Sequence, residues 1–189
     1  MRIISGTARG RQLAAFSGTG IRPTPDRVRE ALFSMLHSRF GSFAGLKVLE
    51  LFAGSGAQTL EAVSRGADSA IMVDSGRQAI TLIEENIRRC QLETKIRLLK
   101  QDVFTALPIL SADAPFDLIL LDPPYNQGLT QRVLDKIESL QLLGEDGIIC
   151  AESGANETIA ACGKLKLSES RKYGSTMIHL FVWNEFLEV

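Results

Sequence analysis

The apolar run Phe116–Leu121 stops at Asp122-Pro123-Pro124-Tyr125, and this stop constrains the fold more than any other feature. A continuous apolar strand is one buried on both faces, as in a parallel sheet covered by helices. Each proline lacks a backbone N–H and holds φ near −65°, so neither extends a ladder. Asp122 is thereby placed at the carboxyl end of the strand with Tyr125 just beyond it, where open α/β sheets take their ligands. The group offers acceptors and a ring face but no strong nucleophile. It suits holding an amino group on a flat base while another molecule supplies the reactive atom.

The rest of the chain repeats the same punctuation. Strands are predicted at 47–52, 69–73, 96–100, 116–121 and 147–151, and helices at 59–65, 77–89, 131–140 and 156–161. That alternation implies a parallel sheet with helices on both faces. Residues 165–169 and 177–183 flank Arg171-Lys172-Tyr173-Gly174 and predict an antiparallel hairpin on one edge. Near the start, Thr24 as N-cap, Pro25 at the first helical position and Asp26 in the first turn open a helix. Its Val28, Leu32, Met35 and Leu36 share one face and pack on the body. Ahead of it, 2–5 and 12–16 predict a short hairpin through Gly6 and Gly10, mobile without a partner. The expected organisation is a basic arm over residues 1–20 and one α/β domain over 21–189.

A second strand end carries glycines: Glu50-Leu51-Phe52-Ala53-Gly54-Ser55-Gly56. Glycines let the backbone turn sharply and approach a ligand closely. A dinucleotide fingerprint would place Gly or Ala at position 59, which is Thr, so a diphosphate cradle is disfavoured. Glu50 would sit poorly beside a diphosphate and well beside an α-amino group. Asp74 closes the next strand and either accepts from two ribose hydroxyls or caps the helix that follows. Asp102, after the third strand, either accepts from an adenine amino group, with Val103 giving an N–H and apolar contact, or makes a plain turn. His37, His179, Phe181 and Trp183 read as packing residues without a partner spacing for catalysis or metal.

Charge is distributed unevenly. The chain of 189 residues carries −1 overall. Residues 1–40 hold Arg2, Arg9, Arg11, Arg22, Arg27, Arg29 and Arg39 against Asp26 and Glu30, while the remainder is acidic. A basic face on an acidic body points to nucleic acid, and arginine suits bidentate phosphate contacts and stacking on bases. Arg9, Arg11, Arg171 and Lys172 are the candidate contacts; a solvated terminus and a solvated turn are the plainer alternatives. Cys90, Cys150 and Cys162 are odd in number and lack C-x-x-C spacing, which predicts reduced thiols and no metal. No apolar stretch approaches a membrane span, and the start lacks an apolar signal core. A cytoplasmic protein without membrane or metal partners, and monomeric, is expected.

Arg22-Pro23-Thr24, Asp26-Arg27-Val28-Arg29-Glu30-Ala31-Leu32-Phe33, Leu51-Phe52-Ala53-Gly54-Ser55-Gly56, Leu60-Glu61-Ala62, Ser64-Arg65-Gly66-Ala67 and Asp122-Pro123-Pro124-Tyr125 occur in one order. With these motifs the sequence resembles the bacterial 16S ribosomal RNA guanine-N2 methyltransferases, over nearly its whole length. Two departures stand out: Glu50 where that family often has Asp, and Gln58-Thr59 where it has an apolar-small pair. The resemblance implies a Rossmann-like class I methyltransferase sheet ordered 3-2-1-4-5-7-6, with S-adenosylmethionine across the first three strands. It also implies that Glu50 and Phe52, Ala53, Gly54, Ser55 and Gly56 hold the methionine part, Asp74 the ribose, and Asp102 with Val103 the adenine. By the same resemblance Asp122, Pro123, Pro124 and Tyr125 face the target base, with Arg22 and Thr24 at the border of either the methionine end or the target base. The implied partner is 16S ribosomal RNA in the small subunit. The same motif would serve adenine N6 in DNA or a protein glutamine, and a non-catalytic RNA-binding protein is the remaining alternative.

Overall fold

The computed structural model describes residues 1–16, 26–125, 127–157, 159–160 and 162–184. Arg22 and Thr24, with the cap expected at Thr24-Pro25, lie outside them. The elements in chain order are α1 (Asp26–Phe40), β1 (Lys47–Leu51), α2 (Ala57–Ser64), β2 (Ser69–Val73), α3 (Arg77–Cys90) and β3 (Ile96–Leu99). They continue as α4 (Val103–Leu110), β4 (Phe116–Leu121), α5 (Leu129–Ser139), β5 (Leu143–Gly154), β6 (Leu165–Tyr173) and β7 (Thr176–Trp183).

Seven strands form one sheet in the order β3-β2-β1-β4-β5-β7-β6. The first five strands in that order are parallel, and β7 pairs antiparallel with both β5 and β6. Successive residues of a strand face opposite sides, so Leu118 and Leu120 join one core while Ile119 and Leu121 join the other. The first core also takes residues of α1, α2 and α3, and the second those of α4 and α5. Both faces are covered, which is why β1 and β4 are dominated by apolar residues.

Several elements differ from expectation. Helix α4 is not among the predicted elements, because Val103 to Leu110 is apolar but for Thr105 and contains Pro108. Its buried residues Val103, Ala106, Leu107 and Leu110 nonetheless fall at helical spacing, and Asp102 caps it. The helix expected at 156–161 is absent among the described residues. There β5 continues to Gly154, and the Ala155 N–H donates to the Ser175 carbonyl, which keeps the chain on the sheet. Six residues are also too few to nucleate a helix without tertiary help. Arg171, Lys172 and Tyr173 are not a loop: β6 runs through them and turns at Gly174.

The hairpin expected within residues 1–16 is short: one bridge, Arg2 to Gln12, flanked by backbone bonds from Ile3 to Arg11, Gly10 to Ile3 and Leu13 to Met1. The segment is docked instead of free. Ile3, Ala8 and Leu13 are buried in the first core. The N–H groups of Ile4 and Ser5 donate to the Glu61 carboxylate, and that of Ala8 to Ser64 Oγ. A buried carboxylate on α2 thus takes N–H groups that the short hairpin leaves over, and Arg65 balances its charge at 2.7 Å.

Candidate active site

The carboxyl ends of β2, β1, β4 and β5 each present an acid: Asp74, Glu50, Asp122 and Glu152. Strand register sets them side by side, since Glu50 pairs with Met72 and Leu120, and Leu121 pairs with Ala151. The chain leaves β4 at Asp122 because Pro123 and Pro124 cannot pair. Asp122 is half-buried, and desolvation raises its pKa to about 6. Pro123 is buried, Pro124 exposed and Tyr125 half-buried. The Tyr125 hydroxyl meets Thr176 Oγ1 at 3.4 Å, while burial and the nearby Asp122 push the phenol up to about 12.

Glu50 is buried inside β1 and accepts the Thr59 N–H at 3.1 Å, serving the open amino end of α2. Desolvation, with Asp122 and Asp74 adding to it, raises its pKa to about 8. The strand then turns through Phe52 at φ 59°, Gly54 at 56° and Gly56 at 72°. Phe52 holds a conformation L side chains rarely adopt. A Cβ at Gly56 would press the Met72 side chain at 3.0 Å, whereas one at Gly54 would meet only the Phe52 carbonyl, at 4.0 Å. The space over Gly54 is open. Ala53 is buried and Ser55 half-buried, closing the turn with a Gly56 N–H to Ala53 carbonyl bond of 2.7 Å.

Asp74 braces this turn. One carboxylate oxygen accepts the Gly54 N–H and the other the Gly76 N–H, each at 2.8 Å. It does not cap α3, whose N-cap is Gly76 without a side-chain bond. Asp102 does act as a cap, accepting the N–H groups of Phe104 at 2.9 Å and Thr105 at 3.3 Å, with Val103 buried behind it. Glu50, Asp122, Tyr125, Asp74 and the glycine turn thus gather at one end of the sheet. A ligand with an α-ammonium, a ribose and an open approach over Gly54 fits these groups.

The basic candidates separate. Arg9 is exposed, whereas Arg11 donates to the Arg89 carbonyl and to Gln91 Oε1, both at 2.7 Å, in the last turn of α3. A cation there complements the helix dipole. Arg171 and Lys172 are exposed on β6. Arg171 pairs across Ile178 with Glu152 in the same row, and Glu169 binds its side chain at 2.6 Å.

Two residues were missed in the sequence. Glu152 is buried on β5 beside the Asp122 strand and accepts from Gln58 Nε2 at 2.6 Å. An acid directly after the apolar Ile148-Ile149-Cys150-Ala151 was its signal. Asn86 is fully buried and donates to the Ser55 carbonyl at 3.0 Å; nothing local marks it. His179 is a core histidine, held between Ser153 at 2.9 Å and Ser170 at 2.7 Å, with desolvation lowering its pKa. Among the described residues no cluster of His, Cys, Asp and Glu is placed to hold a metal, and no helix is long and apolar enough to cross a membrane.

A family model described as "Conserved hypothetical protein 95" matches residues 1–182. The chain is 36% identical over 183 residues to "Putative rRNA methyltransferase YlbH" of Bacillus subtilis, covering 96% of this chain and 98% of that one. It is 32% identical over 153 residues to "Ribosomal RNA small subunit methyltransferase D" of Escherichia coli, covering 81% and 74%. The solved "Putative methyltransferase yhhF from Escherichia coli" superposes with a TM-score of 0.81 at 29% identity, over 97% of each chain. The sheet order, the acid-lined strand ends and these matches agree, and the chain belongs to the small-subunit ribosomal RNA methyltransferase D family, with the class I fold that uses S-adenosylmethionine.

Proposed function

We propose that this protein transfers a methyl group from S-adenosylmethionine to the exocyclic N2 amine of a guanine in 16S ribosomal RNA within the small subunit. The observation that carries the reading is Asp122, a desolvated acceptor at the end of β4 beside the acid and glycine turn of β1. The names of the relatives support ribosomal RNA as the substrate class. Bound S-adenosylmethionine supplies a methyl already activated on a sulfonium, so the protein's task is chiefly alignment. Glu50 receives the α-ammonium, the Phe52–Gly56 turn the methionine backbone, and Asp74 the ribose. Asp102 and Val103 border the adenine.

A guanine amine is a poor nucleophile because its lone pair is delocalised into the ring. Asp122 and the Pro123 carbonyl accept its two N–H groups, orient the nitrogen and favour its tetrahedral form. They also stabilise positive charge as it develops. Tyr125, with its hydroxyl at Thr176, stacks on a base turned out of its helix. Arg9 and Lys172 meet phosphates around it.

The test is to supply labelled S-adenosylmethionine with naked 16S RNA, assembled small subunits, DNA or protein extract, and to identify the product. N2-methylguanine in the RNA is the expected result. N6-methyladenine in DNA or a methylated glutamine would replace the reading.

A further inference from the structure

The amide of Asn86 joins two parts of the molecule that are remote in sequence. It is fully buried on α3. Its Oδ1 accepts the Ala14 N–H at 2.7 Å, and its Nδ2 donates to the Ala14 carbonyl at 3.2 Å and the Ser55 carbonyl at 3.0 Å. Oxygen and nitrogen cannot exchange places, because a flipped amide would set its oxygen against two carbonyls. Both N–H donors of the amide are committed, one to each partner.

The bonds to Ala14 end a strap along α3. Arg11 is bound to the Arg89 carbonyl and Gln91, and Arg89 donates to the Gln12 carbonyl at 3.4 Å. The bond to Ser55 lies within the glycine turn, where Phe52 and Gly54 hold positive φ and Asp74 takes the Gly54 N–H. Holding the Ser55 carbonyl on one side and the Gly54 N–H on the other sets the direction of the turn between them. If the strap lifts, one donor of a buried amide loses its partner and the other bond is free to shift.

We propose that Asn86 is a positioning residue that couples the cofactor turn to the N-terminal segment. Cofactor bound at the turn tightens the docking of residues 11–14, and their docking in return tightens cofactor binding, as linkage requires. The proposal rests on the placement of the cofactor at the Phe52–Gly56 turn and is independent of which base is methylated.

The experiment is amide hydrogen exchange on the full chain, with and without saturating S-adenosylhomocysteine. Slower exchange is expected at Gly54 and Gly56, and also by about threefold or more at Leu13 and Ala14. Protection of Gly54 and Gly56 with Leu13 and Ala14 unchanged overturns the coupling alone. No protection at Gly54 and Gly56 despite measured binding overturns the cofactor placement and the coupling with it. Asn86→Asp keeps the acceptor for Ala14 and removes both donors. In a variant that folds, S-adenosylhomocysteine should bind about fivefold or more weakly and no longer slow Leu13. Unchanged affinity in that variant overturns the proposal; should it not fold, exchange in the natural chain decides.

Discussion

Asp122 and Glu50 are both carboxyl groups at strand ends, yet they are prepared for different work. Asp122, near 6, is ionised at neutral pH and ready to accept, whereas Glu50, near 8, is protonated until something draws the proton away. Asp122→Asn keeps the shape and removes the charge. Methyl transfer should slow by about 2–4 kcal/mol of barrier, while calorimetry shows S-adenosylhomocysteine binding within a few-fold of normal; near-normal turnover would refute the role. For Glu50 the sign follows from its raised value. The folded state holds this proton more tightly than the unfolded chain, so its contribution to stability is lost as pH rises from about 4.5 towards 8. Urea midpoints for the unliganded protein should fall between pH 6 and 8, and Glu50→Gln should flatten that part of the curve. Binding of an α-ammonium favours the carboxylate. Proton release on S-adenosylhomocysteine binding at pH 7, seen by calorimetry in two buffers, is expected in the natural chain and absent in the Gln variant.

Elements are joined here by backbone groups as much as by side chains. Gly6 and Gly10 share a positive φ, 85° and 82°, but a Cβ at Gly6 would lie 1.7 Å from the Ser64 carbonyl oxygen while one at Gly10 meets nothing. Gly10→Ala should cost about 1 kcal/mol for the conformation alone, and Gly6→Ala at least about 2 kcal/mol more. Chemical denaturation of the two variants separates strain from collision, and equal midpoints would show that the segment is not seated against α2. Asp74 joins the end of β2 to the glycine turn through the Gly54 N–H and to the start of α3 through the Gly76 N–H. Asp74→Ala should weaken S-adenosylhomocysteine binding by roughly tenfold, since bonds to a charged acceptor are worth about 1.5–3 kcal/mol. An unchanged dissociation constant would leave it no part in the site.

Over the whole molecule, the basic start of the chain is folded onto the body, and what remains for RNA is the charge it displays. Ile3, Ala8 and Leu13 tie residues 1–16 to the core, while Arg9 stays exposed. Removing that charge is therefore a cleaner perturbation than cutting the segment away. Arg9→Ala and Lys172→Ala should each lower the salt slope of RNA binding by about 0.7–0.9, the yield of one phosphate contact. Titrations from low to moderate salt read this directly, and an unchanged slope would place the residue outside the interface.

Strand ends were legible because their signals are local. Two prolines after Leu121 and the glycines after Leu51 stop a ladder wherever they occur, so Asp122 and the Phe52–Gly56 turn could be placed at the ligand edge from residue types alone. The alternation of apolar strands with helices, and the hairpin at the end, likewise carried the architecture. Helix α4 escaped because an apolar stretch with a proline hides its period, and the first residues were misjudged because their partners are Glu61 and Ser64, far along the chain. Asp74 could be assigned to the site but not to the Gly54 N–H, and the links Gln58–Glu152 and Asn86–Ser55 had no local mark. Sequence alone determined where this chain turns at the glycines and prolines and that the ends of β1, β2 and β4 carry acids, since φ preferences and burial patterns belong to single residues and their neighbours. Only the tertiary structure decided which of those groups meet, because a hydrogen bond depends on distance in space, and packing α1 to α3 on one sheet face creates separations no sequence interval encodes.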